Sequence, residues 1–153
     1  MRVALVYPKI GELSQEFYTG DEHLGLAYIG GTLRKHNHYV QMIDAHMLGL
    51  DDDQVIDFLM KGNFDIIGFS AVYSNIESAL YIAKKIYNYN NTVKIIFGGE
   101  HATFAAEEIM EKNPEVFAII RGEGEKTIIE LLDCIQNNMS LANVNGIVYR
   151  NEN

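Results

Sequence analysis

The sequence predicts a doubly wound α/β fold: a parallel five-stranded sheet with helices on both faces. Three observations lead there. Short apolar runs rich in β-branched and aromatic residues recur at 2–7, 39–44, 64–71, 93–97 and 116–121. Stretches with helical period or helix-capping residues separate them, and the connections are short, which implies right-handed crossovers between parallel strands. The chain has 153 residues, 48% of them apolar, enough to bury one core as one domain. The most economical strand order is the flavodoxin-like (Rossmann-like) 2-1-3-4-5, with a short extra strand starting at 146–150.

In chain order, the first strand (2–7) stops at Pro8, which lacks the donor that a central strand needs. Residues 9–20 have no clear period, and a loop of that length after a first strand is usually functional. A helix is expected from about Asp21, with Asp21 and Glu22 at its positive end and Arg34, Lys35 and His36 at its negative end. Gly25, Gly30 and Gly31 inside it cost about 1 kcal/mol each against Ala. Close packing on the sheet accounts for such glycines, and Gly25, near the helix start, could also admit a ligand. Asn37 suits a left-handed cap. After the second strand, Asp51, Asp52 and Asp53 read as cap and first turn of a helix closed by Gly62, a commoner role for adjacent carboxylates than metal binding. Ser74 and Glu77 fit a capping box for a helix with Ile76, Leu80, Ala83 and Tyr87 on one face. A further helix is expected at 105–112, with Thr103 as its cap, and another runs to about Asn137.

Composition narrows the function classes. The formal net charge is −9, and the basic residues form no stripe longer than Arg34-Lys35 or Lys84-Lys85. Nucleic acid is therefore excluded as an expected partner, since phosphate contacts need clustered Lys and Arg. No run approaches the length of a membrane span, and the first residues enter a strand directly, so a cytoplasmic protein is expected. The single Cys, Cys134, excludes an internal disulfide, a CxxC zinc site and an iron–sulfur cluster held by this chain alone. It sits among Ile128, Leu131, Leu132 and Ile135 and reads as a buried structural thiol.

The strand ends carry the functional signal. The fourth strand runs into Gly98-Gly99, a turn stripped of side chains, where the backbone can take positive φ and a bulky group can approach it closely. On these residues alone, an empty tight turn and a ligand wall are both open. With order 2-1-3-4-5, Pro8, Ser70 and Gly98 lie side by side at the switch point, where such sheets bind ligands. A crevice there would be lined by residues 8–25, 70–75 and 98–103. A phospho-receiver domain is excluded, because Tyr7-Pro8, Ser70-Ala71 and Arg121 stand where its acids and lysine belong. A flavodoxin phosphate loop is missing from 8–20. Gly122-Glu123-Gly124 follows the wrong strand for a dinucleotide fingerprint, has Thr127 in place of its third glycine, and carries carboxylates that repel a pyrophosphate.

The succession Leu24-Gly25-Leu26-Ala27-Tyr28-Ile29, Val40-Gln41-Met42-Ile43-Asp44-Ala45, Asp65-Ile66-Ile67-Gly68-Phe69-Ser70, Gly98-Gly99-Glu100-His101-Ala102-Thr103 and Arg121-Gly122-Glu123-Gly124-Glu125 resembles the N-terminal cobalamin-binding domain of cobalamin-dependent radical-SAM enzymes. That family includes the anaerobic magnesium-protoporphyrin monomethyl ester cyclases and many methyltransferases. The likeness covers nearly the whole chain, departing at Ala105-Ala106, where the family often has Pro. It implies cobalamin (vitamin B12) as cofactor, its nucleotide tail entering at the switch point and its corrin lying across the strand ends. The implied contact residues are Gly25, Ser70, Tyr73, Ser74, Gly98, Gly99, His101, Thr103, Gly122, Glu123, Gly124 and Glu125.

Asp44-Ala45-His46-Met47-Leu48-Gly49 matches the Asp-x-His-x-x-Gly pattern that supplies a cobalt-ligating histidine in methionine-synthase-like domains, but it follows the second strand instead of the first. The expectation is base-off cobalamin with the lower position not filled by His46. His23, His36 and His38 are expected in solvent at helix ends. Radical chemistry would need S-adenosylmethionine and a 4Fe-4S cluster on a CxxxCxxC motif that is absent here, so this chain alone is not expected to be catalytic. The resemblance thus implies a cobalamin-binding domain at 1–140, with 141–153 beginning a hairpin or linker to a C-terminal radical-SAM domain. A stand-alone cobalamin carrier and a cofactor-free interaction domain are the alternatives.

Overall fold

The structure, a computed structural model, describes residues 1–11 and 23–150. Residues 12–20 of the loop expected at 9–20, and Asp21 and Glu22 as a helix start, lie outside the described residues.

Among the described residues the order is β1 (Arg2–Tyr7), α1 (Leu24–Lys35), β2 (Tyr39–Asp44), α2 (Asp52–Lys61), β3 (Ile66–Ser70), α3 (Ile76–Tyr89), β4 (Lys94–Gly98), α4 (Glu100–Phe104), α5 (Ala106–Lys112), β5 (Val116–Ile120), α6 (Glu125–Gln136) and β6 (Ile147–Tyr149). The sheet reads β2-β1-β3-β4-β5-β6. Its first five strands are parallel, as the alternation of strands and helices requires, and β6 joins antiparallel along β5. None of the described helices is long and apolar enough to cross a membrane.

The sheet divides the core in two. Along β1, Ala4 and Val6 enter the core shared with α2, α3 and α5, while Val3, Leu5 and Tyr7 enter the one shared with α1 and α6. This is the period-2 alternation of a strand covered on both sides, and it is why β1 contains no exposed position after Arg2. Phe97 and Ile95 of β4 anchor the first core, and Ile96 faces the second.

Local signals decide most element ends. Asp51 caps α2 in a capping box with Gln54: Gln54 N–H donates to Asp51 Oδ1 at 2.8 Å, and Asp51 N–H donates to Gln54 Oε1 at 3.0 Å. The acidic run is thus a cap, and no group of three potential ligands for a metal occurs among the described residues. Asn37 has φ 63°, the left-handed end expected of it. Gly62 closes α2 with an ordinary right-handed φ of −83°, the positive φ falling on Asn63. A Cβ on Gly62 would lie 1.9 Å from the Phe64 ring, so packing requires this glycine.

Several expectations are corrected. Ser74 and Glu77 form no capping box: Asn75 is the N-cap of α3, and no side-chain capping bond is made. The stripe that α3 buries is Ala79, Ile82, Ala83 and Ile86, one position round from the expected face, leaving Ile76, Leu80 and Tyr87 half-buried. The chain after Gly99 turns helical at once, giving α4 before α5, so Thr103 lies inside a helix and caps none. Cys134 is half-buried against the α1/α6 core, since α6 buries Ile128, Leu131 and Leu132 more deeply. His38 is buried, its Nδ1 3.3 Å from the amino terminus, and burial together with that charge lowers its pKa. His36 is exposed, as expected.

The helix glycines part company. Gly30 is buried, and a Cβ there would lie 2.6 Å from Met42 Sδ, which gives it the packing reason. Gly31 is exposed with nothing within 4 Å of a Cβ. Gly31→Ala should accordingly raise stability by about 0.5–1 kcal/mol through helix propensity alone, read as a higher urea midpoint at unchanged slope.

Candidate functional site

The carboxyl ends of β3, β4 and β5 meet the amino ends of α1 and α6 at a cleft of about 170 Å³. Its floor is the sheet at Leu5, Gly68 and Ile96, its walls are Leu26 and Ile29 of α1 and Ile128 of α6, and its mouth is formed by Ser70, Gly98, Gly99 and the turn from Gly122 to Glu125. Pockets for drug-sized ligands measure roughly 300 to 1,000 Å³, so this cleft has room for only part of such a molecule.

Glycine shapes it. Gly68 stands in the middle of β3, where a Cβ would come within 3.0 Å of Leu5 Cδ2, so the strand presents bare backbone to the cleft floor. Gly99 has φ 95° and ψ 175°, a region essentially reserved for glycine. A Cβ there would sit 2.7 Å from Ala71 O and 2.9 Å from Ala71 N. Gly122 also has a positive φ, 70°, and a Cβ on Gly124 would press on Ile29 and Ile120 at 3.1 and 3.3 Å.

Hydrogen bonds lock the mouth. Ser70 pairs with Gly98 in register, Ala71 N–H donates to Gly98 O at 2.8 Å, and His101 N–H donates to Ala71 O at 3.1 Å. Thr103 Oγ1 donates to Gly99 O at 2.9 Å and accepts from Gly122 N–H at 3.1 Å. Its place just before the helix expected at 105–112 suggested a cap. Its real task is to tie the turn after β4 to the turn after β5. Asn75, fully buried, accepts from Val72 N–H at 2.8 Å and donates from Nδ2 to Ser70 O at 3.3 Å, fixing the loop that leaves β3.

Of the residues singled out in the sequence, Gly25, Ser70, Gly98, Gly99, Gly122, Glu123, Gly124 and Glu125 come together around this cleft. Tyr73, Ser74, His101 and Thr103 do not line it. Tyr73 is 85% exposed and meets the His101 ring edge-on at 5.8 Å, so the two stand above the strand ends. Ser74 belongs to a separate shallow depression with Lys9, Gly11 and Asp51, where its carbonyl accepts from Gly11 N–H at 2.9 Å. The cleft shares Leu5 of β1, Gly25, Ser70, Gly98 and Gly99 with the crevice expected at the β1/β3 switch point and extends past it to β5 and α6, while residues 12–22 of the expected lining lie outside the described residues.

His23 was expected in solvent, and the structure corrects this. It caps α1, its Nδ1 accepting from Leu26 N–H at 3.2 Å, and it lines the cleft with its ring on Tyr7, centroids 4.3 Å apart. Burial lowers its pKa below the ordinary 6.5, against the opposing pull of Asp44. A histidine is rare as an N-cap, so only its reach across to Ser70 reveals it. Gly68 was legible: a glycine inside an apolar strand marks a close approach. Leu26, Ile29, Ile96, Ile120 and Ile128 read from sequence as plain core residues.

A family profile described as "B12 binding domain" matches residues 18–132. The chain is 32% identical over 151 residues to an uncharacterized methyltransferase of Pyrococcus horikoshii, covering 98% of this chain and 33% of that protein. It is 30% identical over 156 residues to the anaerobic magnesium-protoporphyrin IX monomethyl ester cyclase of Rubrivivax gelatinosus, covering 97% and 28%. The structure of the cobalamin-dependent S-adenosylmethionine radical enzyme OxsB with aqua-cobalamin bound superposes with a TM-score of 0.84 at 28% identity, over 99% of this chain and 21% of that one. The radical S-adenosylmethionine methyltransferase TsrM from Kitasatospora setae shares the fold, with a TM-score of 0.80 at 17% identity over 99% and 28% of the two chains. The chain thus spans a third or less of these proteins.

Gly99→Ala should destabilise the protein by roughly 3 kcal/mol, the sum of a glycine-only conformation and a backbone clash. Urea unfolding followed by far-UV circular dichroism reads that loss directly.

Proposed function

Because this chain belongs to the B12-binding domain family, we propose that it is the cobalamin-binding module of a cobalamin-dependent radical-SAM enzyme, a methyltransferase or an anaerobic oxidative cyclase. The observation that carries the reading is the cleft: a ring-sized slot at the carboxyl edge of a parallel sheet, floored by Gly68 and mouthed by Gly98, Gly99, Gly122 and Gly124. A flat heterocycle on a sugar-phosphate arm needs this combination of apolar walls and exposed main chain. Leu5, Leu26, Ile29, Ile96 and Ile128 would hold the ring, and Ser70 would hydrogen-bond the arm. Tyr73 and His101, standing above the strand ends, would meet the part of the cofactor that stays outside, with Glu123 and Glu125 offering acceptors to its amide N–H groups.

Cobalamin, when bound, supplies a methyl carrier or redox partner. This chain's residues bind it, orient it and keep water from the buried ring. His46 follows β2, an edge strand of the sheet, and is not among the cleft residues. The proposal is therefore base-off cobalamin whose lower position is not filled by His46.

The single Cys leaves no ligand set for a 4Fe-4S cluster in this chain. The reading therefore places S-adenosylmethionine and the cluster in a further domain of the parent protein, with residues 1–140 as the cofactor module and 141–153 leading toward that domain. The relatives' greater length supports this. A cytoplasmic setting belongs to the same proposal.

The test is to mix purified protein with hydroxocobalamin, gel-filter it and record the visible spectrum. Cobalamin should co-elute, and a colourless protein fraction would overturn the reading. Gly68→Val, which fills the cleft floor, should weaken binding at least about tenfold, or 1.4 kcal/mol. His46→Ala should leave the spectrum unchanged.

A further inference from the structure

Ser70 is the hydroxyl at the mouth of the cleft, and what it can offer a ligand depends on His23. The bond from Leu26 N–H to His23 Nδ1, 3.2 Å, requires that Nδ1 carry no proton. With Nδ1 accepting, the ring's one N–H is on Nε2, and burial disfavours the doubly protonated, charged form. Nε2 lies 3.4 Å from Ser70 Oγ, the sole bond of that oxygen among the described residues. An oxygen that accepts from Nε2–H keeps its own proton to give. The groups facing the His23 ring are Tyr7 from β1, Asp44 from β2 and Ser70 from β3, and Glu123 and Glu125 lie at the mouth of the same cleft.

We infer that His23 is a positioning residue of the cleft: by holding its proton on Nε2 it makes Ser70 a hydrogen-bond donor, so the ligand atom received at the end of β3 is a bare acceptor, a ring nitrogen or a carbonyl or phosphate oxygen. This rests on the reading that the cleft binds cobalamin, and it adds which residue sets the polarity of its mouth. The 3.4 Å separation is long for a hydrogen bond, and a ligand drawing on the Ser70 proton strengthens the bond behind it by polarisation. His23 therefore acts through Ser70, without touching the ligand's acceptor itself.

A double-mutant cycle tests this. Asn at position 23 can still cap α1 through Oδ1 but is too short to reach Ser70. His23→Asn and Ser70→Ala should each weaken hydroxocobalamin binding, read by absorbance titration, about tenfold. The double variant should lose no more than Ser70→Ala alone if the histidine acts through Ser70, whereas a direct contact of the cleft-lining ring with the ligand would add its own loss. Nitrogen-15 NMR of the wild-type ring should show the Nε2–H tautomer with or without cobalamin. Losses that multiply to about a hundredfold, wild-type affinity in His23→Asn, or an Nδ1–H tautomer would each overturn the inference. If the wild-type protein binds no cobalamin, the functional reading falls while the NMR still decides the tautomer.

Discussion

The site depends on the contact between two stretches of backbone, Gly99 and Ala71. At the end of β4 the chain must turn away from the sheet before its side chains collide with the loop leaving β3. It does so in a conformation open to glycine, with φ 95°, and with Ala71 so close that a methyl group has no room. Ala71 in turn donates to Gly98 O and accepts from His101 N–H. These two bonds hold the ends of β3 and β4 in register and start α4 immediately. Thr103, one turn later, then reaches Gly99 O and Gly122 N–H together, so three strand ends are fixed by a single turn.

The two faces of the sheet are built unequally, and the inequality makes the cleft. On the α2/α3/α5 side, Phe69, Phe97, Ile67, Ile95 and Ile82 fill the space between strands and helices. On the α1/α6 side the sheet offers Gly68 and Ala118 beside Leu5 and Ile96, and α1 offers Gly25. Small residues on the sheet and on one helix leave a slot that no local side chain can fill. The slot opens at the carboxyl edge, where the N-terminal ends of α1 and α6 also point, so backbone N–H groups and a favourable dipole lie at its mouth. Glu123 and Glu125 at the same mouth oppose a free anion there, which fits a ligand presenting a neutral ring and amide groups more than one presenting a bare pyrophosphate.

The chain's acidity and its family membership point in compatible directions. The net charge is −9 and the basic residues form no run longer than two, while Tyr73, edge-on to His101, and Phe104, at the end of α4, are large exposed side chains. Relatives several-fold longer share this unit across nearly its whole length. The fold is thus a reusable cofactor platform whose chemistry is set by what is attached to it.

Sequence by itself determined the architecture. Alternating strands and helices forced the parallel order, Asp51 announced the cap of α2, and Gly98-Gly99 marked the turn at the end of β4 where the cleft opens, because each of these follows from residues close together in the chain. Tertiary structure decided the rest. Whether Ser74 caps a helix, what Thr103 bonds and which face the cleft opens on all depend on contacts between distant segments: His23 and Ser70 are 47 residues apart, Thr103 and Gly122 are 19. His23 looked like a solvated helix end because nothing local distinguishes it. Only when β1 and β3 pair does its ring fall on Tyr7 and its Nε2 on Ser70, and only then does burial disfavour its charged form.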